Sequence, residues 1–368
     1  MAGCTRVRQD NTAAWLGAEA PASTDGFSAT ALNAVLFLPA RDIATLDVVG
    51  RAVGNDEAWN ADGYGVPDSW VYTNRASDDL RPSTVAAGPC TMPPPKPPFT
   101  IVKKKESGDT AGFIGADALG RKFLFKLDHP EYPELSSSAE IIGSRLVWAL
   151  GYNVPAVFIT RIEGTSDPRL DGQRATASLF LDGAVGHFEW DWFRYRREIR
   201  ALRLAYAWIN ETDAHSGNTL VVKTGDEARG YLLDFNGALG SWQGKPKEPW
   251  RGHRYFVDPL WLPLSIVSLT LLRAEGLEVR PVVSPAVGRF DANFDPMTWV
   301  TQLPNTAFER MTPADAAWMA RKISRIGRAQ IEATVAEAKL GNPADARYLV
   351  ETLLARRQRI LERVHIRP

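Results

Sequence analysis

The sequence predicts an α+β protein in two lobes: a small sheet-rich lobe with one helix, then a larger, mainly helical lobe, with a loop-rich extension ahead of both. Three observations carry that expectation. The run Met92-Pro-Pro-Pro-Lys-Pro-Pro98 fixes the backbone near polyproline II and gives up backbone donors, as a semi-rigid connector does. From 99 to 185, apolar residues fall in short β-type runs broken by a single helical pattern. From 186 onward the helical period dominates. The expected units are therefore 1–98, 99–185 and 186–368.

Residues 5–98 are rich in Ala, Asp, Asn, Gly and Pro. They hold one short apolar run, Ala34 to Leu38, and an aromatic stretch from Trp59 through Trp70 to Tyr72. Beyond the connector, Phe99–Lys104 and Arg121–Leu127 read as strands, with a Gly-bearing stretch, 107–120, between them. Ser136-Ser137-Ser138 supplies capping hydroxyls for a helix from Ala139 to Leu150. Gly151 ends it, and Ile142, Leu146 and Ala149 share one face. Val154–Arg161 and Ala175–Leu181 complete the strands of the first lobe. In the second lobe, Phe193–Ile209 is a helix with Ile199, Leu202, Ala205 and Ile209 along a face. Thr219–Val222 and Tyr231–Leu233 flank a turn at Thr224-Gly225-Asp226. Thr312-Pro313 and Asn342-Pro343 each place a capping residue before Pro at the first helical position, announcing two late helices.

Composition narrows the function classes. With 45% hydrophobic and 23% charged residues among 368, disordered, collagenous and coiled-coil classes are excluded. Lys+Arg and Asp+Glu both number 43, so net charge gives no reason to coat nucleic acid or an anionic membrane. Two cysteines, Cys4 and Cys90, lack metal-ligand or redox spacing. The uncharged run Leu260–Leu272 carries Pro263 and falls short of the ~20 apolar residues of a membrane span.

The densest reactive cluster is Trp208-Ile-Asn-Glu-Thr-Asp213-Ala-His215-Ser-Gly-Asn218, followed by Tyr231-Leu-Leu-Asp234-Phe235-Asn236-Gly237. A hairpin between the halves would set Asn218 beside Asp234. A carboxylate and an amide carbonyl are the hard oxygen donors magnesium prefers when it also keeps phosphate oxygens. Asp213 is then placed to accept the proton of an incoming hydroxyl. Lys126, closing the strand Phe123-Leu-Phe-Lys126, offers the cation for the α/β phosphates, and Glu140 in the first turn of the next helix orients it.

That pattern resembles the protein-kinase-like superfamily. Asp213-x-His215-x-x-Asn218 with Asp234-Phe235 is most similar to its atypical branches, the phosphoinositide lipid kinases and the HipA-type and spore-coat-type bacterial kinases. The resemblance covers roughly Phe99 to Asp258. It implies a bilobal kinase-like fold that uses ATP and Mg2+ to phosphorylate an unknown hydroxyl-bearing acceptor, whether protein, lipid or small molecule. It makes Lys126 the phosphate-binding lysine, Glu140 its helix partner, Asp213 the catalytic base, His215 a support of the catalytic loop, and Asn218 and Asp234 the metal ligands. Gly112, in the loose spacing Ser107-Gly108-x-x-x-Gly112-x-x-Gly115, would lie by the nucleotide.

Departures keep other readings open. Asn236 stands where Gly is usual, although Asn tolerates positive φ and Gly237 follows. Glu211 stands where typical protein kinases have His. A catalytically inactive pseudokinase that binds nucleotide or a partner remains an alternative, as does transfer of AMP or glutamate on the same fold. A metallohydrolase built on Asp213-x-His215 ranks lower, with only five histidines in the chain. Met1-Ala2-Gly3-Cys4 resembles the end of a bacterial lipoprotein signal. The chain is accordingly read either as cytoplasmic or as an exported lipoprotein anchored at Cys4 after a leader was trimmed.

Overall fold

A computed structural model describes residues 32–38, 40–41, 57–63, 65–75, 77–104, 110–256 and 280–366. Cys4, the glycine spacing at 107–108 and the run at 260–272 lie outside the described residues. No helix among those described is long and apolar enough to cross a membrane.

Five strands form one antiparallel sheet in the order β1-β2-β3-β5-β4. They are β1 (Thr100–Lys104), β2 (Gly112–Ala116), β3 (Lys122–Leu127), β4 (Val157–Arg161) and β5 (Arg174–Leu179). One face carries an aromatic core: Phe99, Phe113, Phe123, Phe125 and Phe158 are buried together. Phe113 stacks on Phe125 with ring centroids 4.8 Å apart. Strand β2 lies within the Gly-bearing stretch, where Gly112 and Gly115 weaken any strand pattern. Gly112 is required by close approach, since a Cβ there would sit 2.1 Å from the Phe125 carbonyl oxygen.

The one helix expected in this lobe begins earlier than its serines suggest. It is α2 (Leu135–Ala149), preceded in the chain by α1 (Pro82–Ala87), a short helix in the extension that the sequence pattern does not announce. The cap of α2 is not local. Asp128, just beyond β3, accepts from Glu134 N at 3.0 Å, Ser137 N at 2.9 Å and Ser137 Oγ at 2.6 Å. A carboxylate at the positive end of the dipole explains why the helix can start a turn sooner.

The remaining chain forms the second, larger core. Helix α3 (Arg197–Ile209) runs through its centre, with Ile199, Leu202, Ala205 and Ile209 fully buried. The strands β6 (Ala184–Gly186), β7 (Thr219–Thr224) and β8 (Glu227–Leu232) make a small sheet in sequence order, and β9 (Ser241–Trp242) pairs with β10 (Lys245–Pro246). Helices α4 (Pro313–Ser324), α5 (Arg328–Ala336) and α6 (Pro343–Arg363) close the lobe. Both expected caps are present: Asp315 N donates to Thr312 Oγ1 at 3.2 Å, and Ala344 N donates to Asn342 Oδ1 at 3.0 Å.

The extension is part of this larger core as well as a covering. Val66, Trp70, Val71, Tyr72, Leu80 and Val85 are buried with α2 and α3. Trp70 packs edge-on to Phe188 at 4.9 Å and lies so close to β8 that a Cβ on Gly230 would meet its ring at 2.1 Å. Asn60 and Ser69 hold the Glu198 carboxylate in the first turn of α3, at 2.6 and 3.3 Å. Trp70→Ala is therefore expected to cost about 3–5 kcal/mol, as large aromatic truncations in packed cores do. Urea unfolding checks this, and a loss below 1 kcal/mol would mean that the extension merely rests on the lobe.

Candidate functional site

Lys126 sits near the end of β3, opposite Gly112 on one side and Thr176 on the other. Its side chain is 7% exposed, and its ammonium lies between two carboxylates. Nζ is 3.4 Å from Glu140 Oε2, in the second turn of α2, and 2.6 Å from Asp234 Oδ1, just after β8. Burial acts to lower the Lys126 pKa, but Asp234 and Glu140 outweigh it and hold the group above its ordinary value. Glu140 is raised, by burial first and by Asp234, against the pull of Lys126. One strand, one helix and one loop far apart in sequence thus share a single cation.

Asp234 adopts the left-handed region, φ 60° and ψ 65°, where Asp and Asn are the tolerated non-glycine residues. The positive φ expected at Asn236 falls here instead. Asn236 donates through Nδ2 to Thr110 Oγ1 at 3.2 Å, tying the loop to the start of β2. Phe235 anchors Asp234 from behind. It is buried against α2, where a Cβ on Gly143 would come within 3.0 Å of it.

The second cluster lies on the loop after α3. Asn218 Nδ2 donates to Asp213 O at 2.9 Å and to Asp213 Oδ2 at 3.1 Å. Its Oδ1 has no hydrogen bond among the described residues. His215 Nδ1 accepts from Gly217 N at 3.0 Å, which leaves Nε2 to carry the proton, 3.6 Å from Asp213 Oδ1. The two clusters meet through the β7–β8 hairpin. Thr219 pairs with Leu232, and Leu233 N donates to Asn218 O at 2.9 Å, so Asn218 and Asp234 flank one hairpin end. Lys126, Glu140 and Asp234 therefore touch directly, while Asp213, His215 and Asn218 form the adjoining group. Gly112 belongs to a strand rather than a loop, and its glycine is accounted for by strand packing.

Sequence reasoning did not anticipate the floor of this site. Glu211 is 2% exposed, and its Oε1 accepts from Asp213 N at 2.8 Å. Its Oε2 has no partner among the described residues. Lys247, 1% exposed, donates to the carbonyls of Asn210 and Leu239. In Gly-Lys-Pro-Lys247-Glu-Pro it reads as a solvated lysine, and no local signal marks it as buried.

The charges of this floor are held away from their usual ranges. Burial pushes Glu211 up to about 8, with Asp213 and Asp234 adding and Lys247 opposing. Burial brings Lys247 down to about 7, with Arg251 and Arg356 adding and Glu211 opposing. Folded Glu211 keeps a proton that the unfolded chain releases near 4.5, so its contribution to stability is full below 4.5 and lost as pH rises through about 8. Lys247 runs the other way: the folded chain gives up its proton near 7 and the unfolded chain near 10.5, so stability recovers across that interval. Glu211→Gln keeps an acceptor for Asp213 N and should flatten the acid-side fall, whose slope is at most about 1.4 kcal/mol per pH unit. Urea midpoints across pH test this, and an unchanged slope in the variant would speak against a protonated Glu211.

The architecture follows the two-part layout expected from the sequence: an antiparallel five-stranded sheet with a strand lysine, a helix supplying its glutamate, and a mainly helical part whose hairpin presents Asn218 and Asp234. No protein-family model and no curated protein matches the chain. Among solved structures it is similar to a Helicobacter pylori proinflammatory kinase, CtkA, at 11% identity and TM-score 0.43, covering 72% of this chain and 92% of that one. It is also similar to HipA of a Shewanella oneidensis toxin–antitoxin complex with HipB and operator DNA, at 11% identity and TM-score 0.36, covering 87% and 81%. A Leishmania major MAP kinase is a more distant likeness, with 11% identity, TM-score 0.25 and coverage of 73% and 82%.

Proposed function

We propose that the chain is an atypical kinase-like phosphotransferase that moves the γ-phosphate of ATP to a hydroxyl acceptor. The observation that carries this reading is the placement of Lys126 between Glu140 and Asp234, with Asn218 held at the same hairpin end. In this reading Lys126 meets the α/β phosphates and Glu140 keeps its ammonium aimed. Asn218 and Asp234 would hold magnesium, which would supply neutralisation of the phosphate charge.

The donor set suits that ion. Asn218 spends its amide hydrogens on Asp213, leaving Oδ1 as a ligand atom. Asp234 is 31% exposed, so its carboxylate is reachable. No group of three or more His, Cys, Asp or Glu that could hold a metal occurs among the described residues. Two protein ligands completed by phosphate oxygens and water is the usual magnesium arrangement.

Asp213 takes the proton of the acceptor hydroxyl as its oxygen bonds to the γ-phosphorus and the bond to the β-phosphate oxygen breaks, releasing ADP. Glu211 and Asn218 fix the backbone and carboxylate of Asp213, and His215 flanks Oδ1. Most of the rate in such transfers comes from positioning and charge.

The test is incubation with Mg-ATP labelled on the γ-phosphate or, separately, on adenosine, followed by intact-mass analysis of the protein and of candidate acceptors. Transfer of the γ label alone is the expected result. Transfer of the adenosine label would make the chain a nucleotidyl transferase. Binding without transfer would make it a nucleotide-binding pseudokinase.

A further inference from the structure

We propose that the cavity behind the catalytic loop, enclosed by Lys247, Arg251, Arg280, Arg289 and Arg356, is a binding site for a phosphate-class dianion. The site is distinct from the Lys126 cluster and does not depend on the kinase reading.

Five cations converge there with two carboxylates, Glu248 and Asp291, and both are already engaged. Glu248 pairs with Arg251, and Asp291 lies 3.4 Å from Arg280. Among the described residues, the side-chain hydrogen bonds of Arg356, Arg289 and Lys247 all go to neutral carbonyls, with Asp291 and Glu211 the carboxylates acting on Arg356 and Lys247. Arg356, 2% exposed, donates to the carbonyls of Ala207, Trp208 and Asp291, with its guanidinium 3.5 Å above the Phe294 ring. Arg289 donates to Arg280 O and Lys247 O, both at 2.8 Å. Lys247 donates to Asn210 O and Leu239 O.

The end of α3 explains part of this. Its last carbonyls carry roughly half a negative charge and attract Arg356 and Lys247. It does not explain Arg289, which donates to the loop carbonyls of Arg280 and Lys247. Burial first, with Arg280 adding and Asp291 opposing, brings Arg356 down to about 9 and His253, on the same wall, down to about 4. A dianion supplies two charges and several acceptor oxygens at once, and guanidinium forks suit phosphate geometry.

The experiment follows the thermal unfolding midpoint of the full chain against inorganic phosphate, with chloride balancing ionic strength. A saturable rise is expected. Arg280→Gln and Arg289→Gln, both half-buried and outside the catalytic cluster, should each weaken the apparent Kd by about tenfold or more, the worth of a charged hydrogen bond. Lys126→Met should leave the response in place, which separates this site from any phosphate held near Asp234. If Lys126→Met does not fold, the two arginine variants decide alone. Phenyl phosphate distinguishes the sources of the same chemistry: equal affinity indicates a phosphate ester, and much weaker binding a free anion. No response to phosphate, or a response unchanged in both arginine variants, overturns the proposal.

Discussion

Asp213→Ala is expected to lower phosphoryl transfer by about 10²–10⁴-fold, the usual contribution of a positioned general base, while leaving Mg-ATP affinity nearly unchanged. The separation follows from the geometry. Asp213 is held by Asn218, His215 and the Glu211 floor, whereas Lys126 pairs with Glu140 and Asp234. Removing its carboxylate takes the proposed proton acceptor from the site and leaves the Asn218 amide only its bond to the Asp213 carbonyl, while the Lys126–Glu140–Asp234 cluster stays whole. Steady-state kinetics with calorimetric titration of nucleotide measures the two quantities independently. Equal turnover in wild type and variant would remove Asp213 from the chemistry. A loss confined to affinity would move it among the ligands of the metal.

Lys126→Met is the second large effect, and it should appear in stability before any assay of function. The change removes the single cation between Glu140 and Asp234, leaving one nearly buried carboxylate close to another. Breaking a buried ion pair from one side typically costs about 3–5 kcal/mol, because the remaining charge loses its partner. Lys126→Met combined with Glu140→Leu should recover much of that loss, since it removes the stranded charge as well. Nucleotide affinity should stay low in both. Denaturant midpoints for the two single variants and the double variant supply the cycle. Additive losses would show that the 3.4 Å contact contributes no coupling.

Much of this site was legible in the sequence because its signals are local. Lys126 ends a plain alternating strand, Glu140 falls in the next helical pattern, and a turn at Thr224-Gly225-Asp226 joins two short β runs. From those pieces, the approach of Asn218 to Asp234 follows by hairpin geometry alone. What escaped is what tertiary contacts decide. The start of α2 is set by Asp128 across a loop, so Ser136–Ser138 misplaced it by a turn. Strand β2 hides behind two glycines, Gly112 where the Phe125 carbonyl approaches closely and Gly115 where the Phe113 and Phe125 rings crowd in. Trp70 looks like an aromatic in a loop-rich leader, yet it is wedged between β8 and Phe188 in the main core. Lys247 and Arg356 carry ordinary surface chemistry in sequence and are buried only because the chain folds back over the end of α3.

The residues that depart from the kinase pattern the sequence resembles have physical roles of their own. Asn236 stands where glycine is usual, and its side chain reaches Thr110 while Asp234 takes the left-handed backbone. Glu211, in the position of a histidine, fixes the backbone of Asp213 from below. Neither substitution withdraws a group from the Lys126 cluster.

The most direct measurement of the central claim is calorimetric titration of ATP into the wild-type chain with and without magnesium, repeated on Asp234→Ala. One saturable site per chain, markedly tighter with magnesium and losing that enhancement in Asp234→Ala, is the expected result. Absence of nucleotide binding, or a magnesium effect that survives in Asp234→Ala, would contradict the assignment of Lys126, Asn218 and Asp234 to one Mg-ATP site.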